Sequence, residues 1–237
     1  EQAVVEFVRR ISETNRRNPF LDDFLGLRRR MVPAGQLNGL VQTVLKLTVP
    51  GVPDIYQGAE LWDLSLVDPD NRRPVDFDLR RRLIDRFDGK PLPAETAQWR
   101  DGAVKQAVIR RTLDLRRRHP RLFAEGGYRP LTVRGPRSAH VVAFARVLGD
   151  VQAVVVAPVL TARFWPDNLA VPALGGAWRG CHVEAPRRGG GGRFRDLFSG
   201  QMVHAVTRRG GQVLPLADLF ANFPLALLEA EPEERSM

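Results

Sequence analysis

The hydrophobic period of this chain changes part-way along, and the change constrains the fold more than any other feature. Up to about Arg118 apolar residues recur at helical spacing, and beyond Val141 they alternate, so helices come first and an antiparallel sheet follows. Val4, Val5, Phe7, Val8 and Ile11 mark a helix over 2–14. Asn18-Pro19 reads as the N-cap and first turn of a second helix through Leu27. Leu37, Leu40, Val41, Val44 and Leu45 form one stripe of a third, over 36–48, stopped by Val49-Pro50-Gly51. A short buried strand is expected at 52–56, then a long polar loop through Pro74. A helix over 77–87 follows, capped by Asp76 or Asp78, and another over 102–118, ended by His119-Pro120.

From Val141 onward, alternation on both sides of Gly149-Asp150 predicts a β-hairpin over 141–159. Further short strands are expected at 178–183, 201–206, 212–216 and 223–228, around Gly-rich stretches such as 189–192. The expected architecture is therefore α/β plus all-β, with a boundary between 122 and 134. Trp99, Trp165 and Trp178 read as packing residues.

Composition narrows the function classes. The formal charge of +9 and pI near 10.9 raise nucleic-acid binding. The basic residues, however, form separate triplets, Arg28 to Arg30, Arg80 to Arg82 and Arg116 to Arg118, with no interleaved aromatics for base stacking, and they read as solvated helix faces. One cysteine, Cys181, excludes an intramolecular disulfide and a cysteine metal cluster, and the four histidines show no metal spacing. No cofactor is expected. No apolar run approaches the roughly 20 residues of a membrane span, and 1–15 lacks a signal-peptide core, so the expected setting is cytoplasmic.

The chemistry concentrates in one segment. Residues 51–60 read Gly-Val-Pro-Asp-Ile-Tyr-Gln-Gly-Ala-Glu, and 61–76 continue Leu-Trp-Asp-Leu-Ser-Leu-Val-Asp-Pro-Asp-Asn-Arg-Arg-Pro-Val-Asp. An indole offers a flat face to a pyranose ring, and the polar groups around it offer partners to sugar hydroxyls. The candidate substrate-binding residues are Tyr56, Gln57, Glu60, Trp62, Asp63, Asp68, Asp70, Asn71, Arg72 and Arg73. Tyr56 reads first as a buried strand side chain and second as a sugar contact. Glu60 reads equally as cleft-facing or as bonded to loop amides. Arg72 or Arg73 either meets sugar or pairs with a neighbouring carboxylate to stiffen the loop. Pro50, Gly51, Pro53 and Gly58 shape the backbone.

The stretch 51–60 resembles the segment around the last barrel strand of α-amylase-family enzymes, and 61–76 resembles the corresponding loop of maltooligosyltrehalose synthases. Arg195-Asp196-Leu197-Phe198-Ser199-Gly200 is similar to a strand of that family's C-terminal β-domain, and 213–216 with 223–228 to its last two strands. The resemblance implies the C-terminal part of a TIM (β/α)8 barrel over 1–122 and a β-sandwich-like domain over 123–237. It implies an intramolecular transglucosylase that turns the reducing-end α-1,4-linked glucose of a maltooligosaccharide into an α,α-1,1-linked trehalose terminus.

A retaining mechanism needs two carboxyl groups about 5 Å apart. The family's carboxylate motifs belong to earlier barrel strands and are not found in this sequence, so no catalytic residue is assigned, and the upstream barrel portion of the same enzyme is the expected partner. An eight-stranded barrel alone takes about 250 residues, which agrees with an opening at Glu1 that reads as mid-domain helix. The rivals are another amylase-family hydrolase or transglucosidase, against which 61–76 argues, and a non-catalytic glucan-binding fragment. Severed helices are expected to leave apolar stripes exposed.

Overall fold

A computed structural model describes residues 1–14, 17–164, 174–186, 192–208 and 211–231; Trp165 and most of 189–192 lie outside the described residues. The helices are α1 (Gln2–Ile11), α2 (Pro19–Thr48), α3 (Phe77–Leu83), α4 (Ala103–Arg118), α5 (Pro120–Ala124) and α6 (Leu216–Leu219). The strands are β1 (Gly127–Pro130), β2 (Val133–Arg134), β3 (Val141–Leu148), β4 (Val151–Pro158), β5 (His182–Glu184), β6 (Arg193–Asp196), β7 (Met202–His204), β8 (Val206–Arg208), β9 (Gly211–Pro215) and β10 (Ala226–Ala230).

Asn18 caps α2 as its sequence predicts. Its Oδ1 accepts from the Leu21 amide at 3.3 Å, while its Nδ2 donates to the carbonyls of Ile11 and Glu13, tying α2 to the end of α1. The two helices expected on either side of Pro33 are one continuous helix. Proline removes one ladder hydrogen bond, but Pro33 is itself the first buried member of the stripe that continues through Leu37, Leu40, Val41, Val44 and Leu47. Packing therefore carries the helix through the break. α4 lies against α2, and Val104, Val108 and Leu115 on it share a core with that stripe.

The expected strand at 52–56 is absent. Val52 is 97% exposed, and no neighbouring backbone among the described residues completes a ladder for this segment. The helix expected over 77–87 ends at Leu83 and continues as turns; of its two possible caps, Asp76 accepts from the Leu79 amide at 2.8 Å.

The hairpin forms as expected, with β3 and β4 in register from Val141 opposite Pro158 to Leu148 opposite Val151. It is the centre of a six-stranded antiparallel sheet in the order β1-β3-β4-β10-β6-β7. A second antiparallel sheet runs β2-β5-β9-β8. The stretch 201–206 divides at Ala205, whose amide donates to Gly192 O at 2.7 Å, so β7 joins one sheet and β8 the other. Of the strand expected at 178–183 only 182 and 183 pair, as the start of β5, because Trp178 sits in a tight turn with its ring against Phe164 and Phe220.

Both faces of the large sheet are covered, so strand alternation here separates two buried faces instead of core from solvent. Phe144, Val155 and Leu227 face α2 and α4, while Ala145, Val154 and Leu228 face Val183 and Leu214 of the second sheet. Three layers result: helices, large sheet, small sheet. Trp99 is fully buried between the helices and Phe223, its Nε1 donating to Pro93 O at 2.7 Å.

Candidate functional site

The candidate segment begins where α2 ends. The Thr48 hydroxyl donates to Val44 O at 2.6 Å and the Val49 amide to Leu45 O at 3.0 Å, closing the last turn before Pro50. Gly51 and Gly58 hold φ of 127° and 93°, a region that a side chain disfavours. Around Gly58 the chain folds back on itself. Glu60 Oε2 accepts from the Gly58 amide at 3.0 Å and from Arg80 Nε at 2.9 Å, and the same guanidinium donates to Gly58 O and Asp76 O. Of the two readings of Glu60, the structure adopts the one bonded to loop amides.

The next residues are anchored on the helices. Leu61 is buried with Leu83 and Ala103, and Lys105 Nζ donates to its carbonyl at 3.1 Å. Trp62 is half-buried against the α2–α4 core; its Nε1 donates to Trp99 O, and the Lys105 ammonium lies 5.7 Å from the ring centroid. Burial holds the Lys105 amine below the ordinary lysine range. Gly102, with φ of 78°, lets the start of α4 approach this strip closely, since a Cβ there would meet Trp62 N at 2.7 Å.

Beyond Trp62 the loop is held by its own charges. Asp63 accepts from the Ser65 hydroxyl and amide, and these bonds hold its carboxyl below the usual range. Asp70 accepts from the Leu66 amide at 2.8 Å and pairs with Arg73; Asp68 pairs with Arg72 at 2.5 Å. Both arginines take the carboxylate-pairing role. Asn71 is exposed in a single tight turn, Asp70–Arg72, and Leu64 is 90% exposed.

The structure therefore sorts the ten candidates. Glu60, Trp62, Asp63, Asp68, Asp70, Arg72 and Arg73 shape or anchor the loop, whereas Tyr56, Gln57 and Asn71 present their side chains openly. The expectation of a buried Tyr56 is corrected: it is 62% exposed, because the segment carrying it is not flanked by strands. The four candidate carboxylates Glu60, Asp63, Asp68 and Asp70 are all engaged by amides, a hydroxyl or guanidinium groups, and each of these contacts holds loop backbone or a loop side chain. Among the described residues no group of three or more His, Cys, Asp and Glu could hold a metal ion.

Two arginines read as solvated belong instead to this architecture. Arg80 clamps Gly58 and Glu60, and Arg116 donates to Leu47 O at 2.9 Å. Arg80 was foreseeable, since a cap at Asp76 places it one turn into α3, facing back toward the cap. Lys105 and Gly102 carry no such signal, because their roles depend on where α4 packs.

No protein-family model matches the chain. It is 34% identical over 210 residues, 89% of its length, to the "Putative maltooligosyl trehalose synthase" of Mycobacterium tuberculosis. Among solved structures, maltooligosyltrehalose synthase from Arthrobacter ramosus superposes on 91% of the chain with a TM-score of 0.69 and 36% identity. A point mutant of the same Arthrobacter enzyme gives 0.71 and 37% over 90%. The chain is related to the maltooligosyltrehalose synthases. It spans about a quarter of their length, 23% of the mycobacterial protein and 25% of the Arthrobacter chain. A glycosyltrehalose synthase covers 97% of the chain at 25% identity and a TM-score of 0.64. Over the superposed quarter, the Arthrobacter structures follow the same mixed arrangement of helices and antiparallel sheet. No helix among the described residues is long and apolar enough to cross a membrane.

Proposed function

We propose that this chain is the C-terminal portion of a maltooligosyltrehalose synthase, with 1–122 completing the catalytic barrel and 123–237 forming the β-domain behind it. The intact enzyme cleaves the terminal α-1,4 bond of a maltooligosaccharide onto a carboxylate outside this chain. The released glucose turns in a closed pocket, and its anomeric hydroxyl attacks the glycosyl-enzyme, giving an α,α-1,1 linkage and freeing the carboxylate. The observation that carries this reading is identity of 34–37% to synthases sustained over about nine-tenths of the chain.

In this reading 50–73 borders the reducing-end glucose. Tyr56, Gln57 and Asn71 supply contacts, and the clamped carboxylates and arginines keep the loop rigid enough to exclude water, which would otherwise hydrolyse the intermediate. The remaining three-quarters of the enzyme covers the apolar faces of α1 and the first half of α2, where Val4, Phe7, Phe24 and Met31 stand exposed.

Replacing Tyr56 or Asn71 with Ala in the full-length enzyme tests the assignment. The expected result is a higher ratio of free glucose to trehalose-terminated product. Unchanged ratio and turnover in both variants would remove this loop from the site.

A further inference from the structure

Arg146 projects from β3 into the helical layer and is 1% exposed, with no acidic partner in contact among the described residues. Carbonyls replace water around it. Nη1 donates to Thr48 O at 3.0 Å, and Nη2 lies within 3.2 Å of Leu122, Phe123 and Gly126 oxygens. Arg116 reaches the same end of α2 from α4, donating to Leu47 O, and both guanidinium groups pack on Phe123, at 4.7 and 5.6 Å from the ring centroid. Two cations thus sit beside one another and satisfy the last two carbonyls of α2, which carry the partial negative charge of a helix C-terminus.

A like-charge pair with no carboxylate is a costly way merely to fill a core. Its location gives it a use. The helix end it grips is the point at which the chain turns through Val49-Pro50-Gly51 into the candidate sugar loop, whose far side is gripped by Arg80.

We propose that Arg146 and Arg116 are positioning residues: by gripping the Leu47 and Thr48 carbonyls they fix where 49–60 leaves α2, so the sheet sets the placement of the loop beside the substrate. The clamp touches no sugar and acts only through backbone. Its catalytic consequence rests on the function proposed above; its effect on the loop backbone does not.

The test uses the full-length enzyme with Arg146→Met, Arg146→Lys, Arg116→Met and, as control, Arg111→Met. Arg111 also donates to four carbonyls, those of Phe87, Lys90, Leu197 and Phe198, away from the end of α2. Amide hydrogen exchange over 49–62 is read together with the glucose-to-product ratio. Loss of a charge-assisted bond predicts exchange faster by roughly tenfold or more in this window for Arg146→Met and Arg116→Met. Arg146→Lys should recover part of the protection, and Arg111→Met should leave the window unchanged whatever it does to Tm.

A raised glucose fraction accompanying that pattern supports the whole proposal. Faster exchange with an unchanged ratio upholds the clamp and overturns the assignment of the loop to the substrate. Unchanged exchange in Arg116→Met, the variant less exposed to folding failure, overturns the clamp, as does an equal response to Arg111→Met.

Discussion

Trp62 separates an anchoring indole from a sugar platform, and the two roles predict different energies for the same substitution. Truncating a fully buried Trp costs about 3–5 kcal/mol, so the half-buried ring of Trp62 should contribute about 2 kcal/mol of packing. Loss of the Nε1–H bond to Trp99 O adds about 1 kcal/mol, and the Lys105 ammonium about 0.5 kcal/mol more. Trp62→Ala should therefore destabilise the protein by about 3.5 kcal/mol. Trp62→Phe keeps most of the packing but removes the indole bond to the Trp99 carbonyl, which retains its bond from the Gly102 amide, and should cost about 1 kcal/mol. In urea unfolding, with a slope of about 3 kcal/mol/M, the Ala variant should lose about 1 M in midpoint and the Phe variant about a third of that. A loss below about 0.5 kcal/mol for Trp62→Ala, with carbohydrate affinity abolished, would refute the anchoring role and return the ring to the sugar.

Gly102→Ala places a Cβ 2.7 Å from Trp62 N at φ of 78°; strain and overpacking together should cost about 3 kcal/mol by urea denaturation, whereas Gly26→Ala, inside α2 with nothing within 4 Å, should stabilise by up to about 1 kcal/mol. Glu229 of β10 is a pH-dependent link to the end of α4: burial alone would raise its pKa, but hydrogen bonds from Arg118 and His119 hold it below the ordinary 4.5. A depressed carboxylate contributes stability above the unfolded pKa and loses it as pH falls through the folded one. The Tm difference between wild type and Glu229→Gln should thus be constant above about pH 4.5 and close below it, as thermal scans across that range would record. Phe24→Glu should raise the solubility of the isolated chain in a sedimentation assay and weaken its association with the remainder of a synthase, since it charges an exposed apolar face.

The start of α2, the cap of α3, the end of α4 and the β3–β4 hairpin were legible because each has a local physical signature. Asn18-Pro19 opens α2, Asp76 caps α3, His119-Pro120 separates α4 from α5, and Gly149-Asp150 turns β3 into β4. Where the reading failed, a distant contact had overruled a local rule. Pro33 is held inside a helix by the core it joins, and 52–56 has strand-like residues but no partner strand among the described residues. The candidate loop stands out in the sequence, and pairing of Arg72 and Arg73 with neighbouring carboxylates was among its readings, but the anchoring of its first residues was not legible. The anchoring of Glu60, Leu61 and Trp62 depends on Arg80, Lys105 and Trp99, which lie 20 or more residues away in the chain from the groups they hold. The buried Arg146 gave no warning either, because one arginine in an alternating strand looks like a solvent-facing position until helices cover that face.

The most direct test of the central claim is to mix this chain with a separately expressed N-terminal three-quarters of a maltooligosyltrehalose synthase and supply maltopentaose, following reducing ends and free glucose together. Reducing ends should disappear without matching glucose release in the mixture, and the chain alone should do nothing. Loss of reducing ends caused by the chain alone would contradict it, because the catalytic carboxylates would then lie within these residues.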